Sequence, residues 1–295
     1  MNYYFLPGVG IFGGIKVGFQ FAEILASLGL KVVVATPGGE APRWFSSSAP
    51  IVDRDLALRH LTPDDVAIFS LPHDHAALRE TGARLVFHCQ GTDPAIDPIV
   101  ADPAVIPLAC WPQARDYMTS AGRNPIEVGI SISDGFYYDG APKHARRVAY
   151  MPRRGLDIAE SCMASSSNLE FVPVSGMHEA EVAALMKSAS YFLATSEREW
   201  FGLPALEAMA AAAVVVTVPT LGGMDYLNSG TNCVVADSAD LPAALARTAH
   251  PAAAQLRARL RSGATAVASR YRISLQRTLV ERALEAELRA AVSWN

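Results

Sequence analysis

Short apolar runs recur along the chain, each followed by a stretch long enough for one helix. In the first half, residues 3–6, 31–35, 66–71, 84–88, 105–109 and 126–128 read as strands. Between the first two, Val17, Phe21, Ile24, Leu25 and Leu28 recur at helical spacing and predict one long helix that Gly29 ends. A second helical stretch covers residues 111–121. From Gly129 the pattern breaks into Ile-Ser-Ile-Ser-Asp-Gly-Phe-Tyr-Tyr-Asp-Gly-Ala-Pro-Lys-His, a composition that marks a linker. Beyond it, residues 147–151, 169–172, 191–194 and 214–218 are again apolar runs. A helix opens at Ser175-Gly-Met-His-Glu-Ala-Glu, and another at Gly202-Leu203-Pro204. Two amphipathic helices, 251–269 and 274–291, close the chain. Single strands alternating with helices predict an α/β fold with parallel sheets.

With 295 residues, 51% of them hydrophobic, the chain can fill two α/β domains of ordinary size. A net charge of -4 leaves no footprint for nucleic acid or for an acidic membrane surface. The longest apolar run, residues 208–218, is too short to cross a bilayer. The opening MNYYFLPG has no basic leader and already reads as a strand, so it is not a signal peptide. The four cysteines, Cys89, Cys110, Cys162 and Cys233, are widely spaced and read as reduced buried thiols. These features point to a cytoplasmic protein, with peripheral attachment at a membrane left open.

The stretch from Tyr191 to Val218 carries the most chemistry. A strand leads into a loop with Thr195, Ser196, Glu197 and Glu199, and a helix starts at Gly202-Leu203-Pro204. Pro204 suits a first helical turn, where its missing N–H costs nothing. In a parallel α/β sheet, ligands bind beyond the carboxyl ends of strands, at helix N-termini. Glu199 and Glu207 would lie on that side and can accept hydrogen bonds from sugar and ribose hydroxyls. A plainer reading of Glu207 is an acid that complements the helix dipole.

The segment Glu199-Trp-Phe-Gly-Leu-Pro-Ala-Leu-Glu207-Ala-Met-Ala resembles the E-x7-E signature (EGFGLPxLEAMA) of retaining glycosyltransferases of the GT-B fold, family 4. The resemblance implies two Rossmann-like domains facing across a cleft. Residues 1–140 would form the acceptor-side domain and 141–272 the nucleotide-sugar domain, with 273–295 as a helix crossing back to the first domain. In the family a Gly-Arg at a strand end and a later Lys hold the donor diphosphate. Here Pro152-Arg153-Arg154-Gly155 supplies two arginines, but no lysine follows before Lys187. Arginine suits the task because its planar fork bridges two phosphate oxygens. The alternative for Arg153 is a solvated basic cluster with Lys143, Arg146 and Arg147. Thr220-Leu-Gly222-Gly223-Met-Asp225-Tyr226 resembles the family's Gly-Gly-x-x-Glu turn near the base and phosphates, and Gly230-Thr-Asn-Cys-Val-Val resembles the strand after it. Pro125-Ile-Glu-Val-Gly-Ile-Ser with Phe136 resembles the segment before the hinge, without its usual Asn. Trp200 stands where relatives usually carry glycine.

In the first half, Gly8, Gly10 and Gly13 satisfy G-x-G-x-x-G between a strand and a helix, a dinucleotide fingerprint. A dinucleotide site also wants an acid at the end of the second strand, and Thr36-Pro37 stands there instead. The competing match is the family's Gly-Gly, which Gly13-Gly14 resembles and which lets a diphosphate or acceptor approach the first helix. His88, at a strand end in His-Cys-Gln-Gly, occupies the region where the family places a histidine facing the donor sugar; a satisfied core histidine is the alternative. His73-Asp-His75 lacks a third ligand and reads as a helix-capping loop rather than a metal site.

The resemblance thus implies a retaining, metal-independent glycosyltransferase that uses a nucleotide-diphosphate-sugar such as a UDP- or GDP-sugar and needs no cofactor. Glu199, His88 and Arg154 would be catalytic. Glu207, Gly202, Leu203, Arg153, Gly13, Gly14, Gly222 and Gly223 would bind the donor. The acceptor would be a glycan, a lipid-linked or a small molecule rather than nucleic acid. The rivals are an NAD(P)-dependent oxidoreductase built on Gly8, Gly10 and Gly13, and a non-catalytic nucleotide-sugar-binding subunit.

Overall fold

The structure, a computed structural model, describes residues 1–288. It forms two compact units, one of Met1–Ser131 together with the chain from Ile273 onward, the other of Ile132–Arg272. Residues 132–140 therefore group with the second unit. The end of the closing helix expected at 274–291 lies partly outside the described residues. No helix among the described residues is long and apolar enough to cross a membrane.

The first unit is built on seven strands: β1 (Asn2–Phe5), β2 (Val32–Thr36), β3 (Ile51–Asp53), β4 (Val66–Phe69), β5 (Arg84–Cys89), β6 (Val105–Ala109) and β7 (Ile126–Glu127). Their order is β3-β2-β1-β4-β5-β6-β7, and all pairs are parallel. Strands enclosed on both faces need no polar alternation, which is why β4 reads Val-Ala-Ile-Phe and is buried throughout. The helices are α1 (Gly13–Ser27), α2 (Arg54–His60), α3 (Pro72–Glu80), α4 (Asp97–Val100) and α5 (Pro112–Ser120). Gly29, at φ 91°, ends α1 in the left-handed conformation that glycine adopts without strain. Ile15, Phe19, Phe21, Ile24 and Leu25 of α1 join Tyr4, Leu6, Val34 and Ile68 in one core.

The closing helix, Ile273–Ala283, belongs to this core through Val280, Ala283 and the following Leu284. Gln276 fixes its start: the Ser131 hydroxyl donates to Gln276 Oε1 at 2.5 Å, and Gln276 Nε2 donates to the Gly129 carbonyl at 2.9 Å. A buried amide with both ends paired sets register as well as contributing about 1 kcal/mol per bond.

The second unit has five parallel strands, β8 (His144–Tyr150), β9 (Glu170–Pro173), β10 (Ala189–Ala194), β11 (Val214–Thr217) and β12 (Val234–Val235), in the order β12-β11-β10-β8-β9. Its helices are α6 (Leu156–Ser165), α7 (Glu179–Ser188), α8 (Leu203–Ala210), α9 (Leu241–Ala249) and α10 (Ala254–Ala268). The opening of α7 expected near Ser175 starts with a capping box, in which His178 accepts from the Ala180 N–H and Glu181 accepts from the His178 N–H. Val148, Tyr191, Leu193, Val214, Val216, Leu241 and Leu245 form its core. Lys143 ties the amino edge together, donating to the carbonyls of Lys187, Ala189 and Ala211 at 2.9, 2.9 and 2.8 Å. Burial, with Arg261 nearby, pulls its pKa down to about 7.

Elements absent from the sequence reading include the short β3 with three residues, α2 with seven and α4 with four, and the helices α6 and α9. The run LDIAESCMAS shows little contrast between its faces, so its spacing does not stand out, and LPAALARTA, though amphipathic, spans only nine residues.

Candidate functional site

In the second sheet the chain leaves β8 toward β9 on one side, then returns to β10 on the other and continues outward to β11 and β12. The point where the direction reverses lies between β8 and β10, and in open parallel sheets ligands bind there, beyond the carboxyl ends. The two loops that flank it are 151–155 and 195–202. They carry Arg153 and Arg154 on one side and Glu199 to Gly202 on the other.

These loops are joined directly. Arg154 Nη1 lies 3.2 Å from Glu199 Oε1, with both side chains partly open to solvent at 44% and 29% exposure. The Thr195 hydroxyl donates to the Arg154 carbonyl at 2.8 Å and so anchors the arginine's main chain to the end of β10. Gly155 completes the join. It sits at φ 71°, and a Cβ there would come within 2.3 Å of the Thr195 carbonyl oxygen. Only glycine permits that approach.

The tip of α8 is equally constrained. Gly202 is its N-cap at φ 82° and ψ 46°, and Pro204 occupies its first turn. The Tyr226 hydroxyl donates to the Gly202 carbonyl at 2.7 Å. The main-chain carbonyl of Glu199 accepts from the N–H groups of Leu221 and Gly222 at 3.0 and 3.2 Å, which docks the Gly222-Gly223 turn onto the same loop. A Cβ on Gly223 would meet the Phe201 carbonyl oxygen at 2.4 Å, so this turn too needs glycine. The first N–H groups of a helix have no partner within it and face whatever lies beyond the tip.

Glu207 is the fifth residue of α8 and only 7% exposed. The dipole effect fades within the first turn, so complementing the dipole does not account for it. Burial first, then Tyr271, Cys233, Glu199 and Glu207, holds the Tyr226 pKa well above its ordinary value, which sets both carboxylates in the neighbourhood of that hydroxyl. Arg154, Glu199, Gly202, Leu203, Glu207, Gly222 and Gly223 are thus gathered at one edge of one sheet. Arg153 is exposed beside them, and Trp200 is half-buried in the same loop.

The sequence-predicted residues of the first unit form a separate group. Gly13 opens α1, and a Cβ on Gly14 would lie 2.5 Å from Gln90 Oε1. Trp44 Nε1 donates to the carbonyls of Val9 and Gly10, both at 3.1 Å, and holds the glycine-rich loop. His88 corrects an expectation. It is 0% exposed, its ring stacked on Phe21 at 4.3 Å and its Nδ1 2.7 Å from the Tyr4 hydroxyl. Gln90 Nε2 donates to the same hydroxyl at 3.1 Å. Burial drives the His88 pKa down to about 3, so the imidazole is neutral. The strand turns that position inward between β1 and α1, so the ring is enclosed in the first unit rather than open at its surface. Only one of its ring nitrogens is paired: Nε2 is buried with no hydrogen-bond partner among the described residues.

Thr36, where a dinucleotide site would place its acid, is 0% exposed and donates to the Glu40 carbonyl at 2.8 Å. His75 pairs with Asp102 at 2.9 Å and His73 lies 3.5 Å from Asp74, so the two histidines serve different acids. Among the described residues no group of three or more His, Cys, Asp and Glu side chains is arranged to hold a metal ion.

Sequence reasoning missed Thr195 and Gly155 as supports of Arg154, and Tyr226 as the partner of Gly202. A glycine directly after an arginine at a strand end was the available signal for Gly155. Tyr226 stands at the last position of the Gly-Gly-x-x-Glu pattern, where this chain departs from it.

Residues 154–252 match the family model described as glycosyl transferases group 1, a span that contains every member of the cluster from Arg154 to Gly223. No curated protein matches the sequence. Among solved structures, the chain is similar to Alr3699/HepE of Anabaena in complex with UDP and glucose, at 14% identity and a TM-score of 0.69, over 97% of this chain and 99% of that one. It is equally similar to WaaG, a glycosyltransferase involved in lipopolysaccharide biosynthesis, at 14% identity and a TM-score of 0.69, over 97% of this chain and all of that one (100%). TarM is similar at 13% identity with a TM-score of 0.60, over 76% of this chain and 55% of that one. The matched region and the two parallel α/β sheets together support a glycosyltransferase of the GT-B fold.

Proposed function

We propose that the chain transfers a sugar from a nucleotide-diphosphate-sugar to an acceptor, with retention of anomeric configuration and without a metal. The observation that carries this reading is the Arg154–Glu199 pair at the tip of α8, on loops joined at the reversal point of the second sheet. Arg154 and the N–H groups at Gly202 and Leu203 stabilise the negative charge that grows on the diphosphate as the sugar–oxygen bond breaks. Glu199 accepts hydrogen bonds from the sugar hydroxyls, and Glu207 from the ribose. Arg153 and the Gly222-Gly223 turn border the same edge and complete the donor site. Gly13-Gly14 in the first unit admits substrate close to the main chain of α1.

The ion pair does not lock the arginine away. An exposed pair contributes about 0–1 kcal/mol, so Arg154 exchanges a carboxylate for a diphosphate at small cost. Paired positive side chains supply the charge that a metal supplies elsewhere. That the HepE structure holds UDP and glucose, at the same fold, supports a UDP-sugar as the first donor to try.

The test is a thermal-shift panel of UDP-, GDP- and dTDP-sugars alongside NADH. One sugar nucleotide should raise the melting temperature, since a ligand at a hundredfold excess over its Kd adds about 2.7 kcal/mol. A shift with NADH alone would replace this reading with the oxidoreductase. Binding of a donor without hydrolysis or transfer would reduce it to a sugar-nucleotide-binding subunit.

A further inference from the structure

We propose that Tyr226 is a positioning residue for the donor diphosphate, fixing through the Gly202 carbonyl the direction in which the Leu203 N–H points. The inference rests on the donor site described above and assigns a role to a residue outside it.

Three donors converge on the Gly202 carbonyl: the Tyr226 hydroxyl at 2.7 Å and the N–H groups of Ala205 and Leu206 at 3.1 and 3.4 Å. The two amides are the ordinary first bonds of a helix. The hydroxyl is additional and comes from a different loop. A peptide group is planar and trans, so its C=O and N–H point in opposite directions. Holding the Gly202 oxygen toward Tyr226 therefore aims the Leu203 N–H outward from the tip of α8, where a phosphate would sit.

Gly202 needs such a hold. Glycine has no side chain to restrict it and visits many main-chain conformations at similar cost. Tyr226 is itself well held. It is 4% exposed, its ring lies 5.3 Å from Phe201 and 6.1 Å from Tyr271, and its carbonyl accepts from Asn232 Nδ2 at 2.7 Å. Asn232 is also buried and accepts from the Asn228 N–H at 2.9 Å. Tyr226 caps the short turn Gly223–Asp225, so it joins the Gly222-Gly223 segment to the helix tip. The fit is close: a Cβ on Gly202 would lie 2.9 Å from the hydroxyl.

Tyr226→Phe removes the hydroxyl and keeps the ring packing. Titration calorimetry with UDP and with uridine then separates the role from a general loosening, because only UDP carries the phosphates. UDP should bind the variant about fivefold more weakly, the value of one hydrogen bond, with uridine unchanged. If Tyr226→Phe does not fold, Asn232→Ser, which releases the tyrosine main chain, should show the same selective loss. Equal weakening of UDP and uridine, or no weakening of either, overturns the inference while leaving the donor site standing. Failure of the unaltered protein to bind UDP, GDP or their sugars overturns both.

Discussion

The carboxyl edges of the two sheets use polar residues in opposite ways. In the first unit Tyr4 and His88 turn inward with the half-buried Gln90 on the Tyr4 hydroxyl, and His88 is neutral, fully enclosed and stacked on Phe21. In the second, Arg154 and Glu199 stand partly in water, and their anchors Thr195, Gly155 and Tyr226 are the groups drawn inward. Both edges follow parallel strands, so position in the sheet does not decide the difference. Burial does. An enclosed polar group works on stability through its hydrogen bonds, whereas an accessible charge with a weak partner stays free to exchange it for a ligand.

The largest expected effect that sharpens this contrast is on acid stability. A histidine with an ordinary pKa of 6.5 unfolded and about 3 folded binds its proton first in the unfolded chain. The stability it lends is therefore complete above pH 6.5 and is lost as the pH falls toward 3, by about 3 kcal/mol between pH 6.5 and 4. Urea midpoints measured across that range should fall steeply for the native protein and less so for His88→Gln. Equal slopes would mean that His88 is not enclosed.

Next in size is the reverse dissociation at the other edge. Arg154→Ala should lower hydrolysis of a bound UDP-sugar about 100-fold, in the range found for removing one charge-stabilising donor. Its melting temperature should stay nearly unchanged, because the exposed pair with Glu199 adds little to stability. A large drop in stability with undiminished hydrolysis would make Arg154 structural and erase the contrast.

The sequence made the strands legible wherever an apolar run exceeded three residues, because buried parallel strands leave no other pattern. Glu199, Gly202 and Glu207 were legible because one contiguous segment spans them. His88 was not, since a strand-end histidine faces core or solvent according to a register that depends on Tyr4, 84 residues away in sequence. Tyr226 was hidden for a similar reason. Its partner Gly202 lies 24 residues back and meets it only once the Gly222-Gly223 turn has docked on the Glu199 carbonyl. Pairings that exist only in the folded chain leave no local signature.

Amide hydrogen exchange with and without a saturating UDP-sugar locates the ligand most directly. The account expects slowed exchange in peptides covering residues 153–156, 199–207 and 221–223, where the N–H groups of the helix tip and the two loops meet the diphosphate. Protection confined to the glycine-rich segment 8–14, with residues 199–207 exchanging as before, would contradict it.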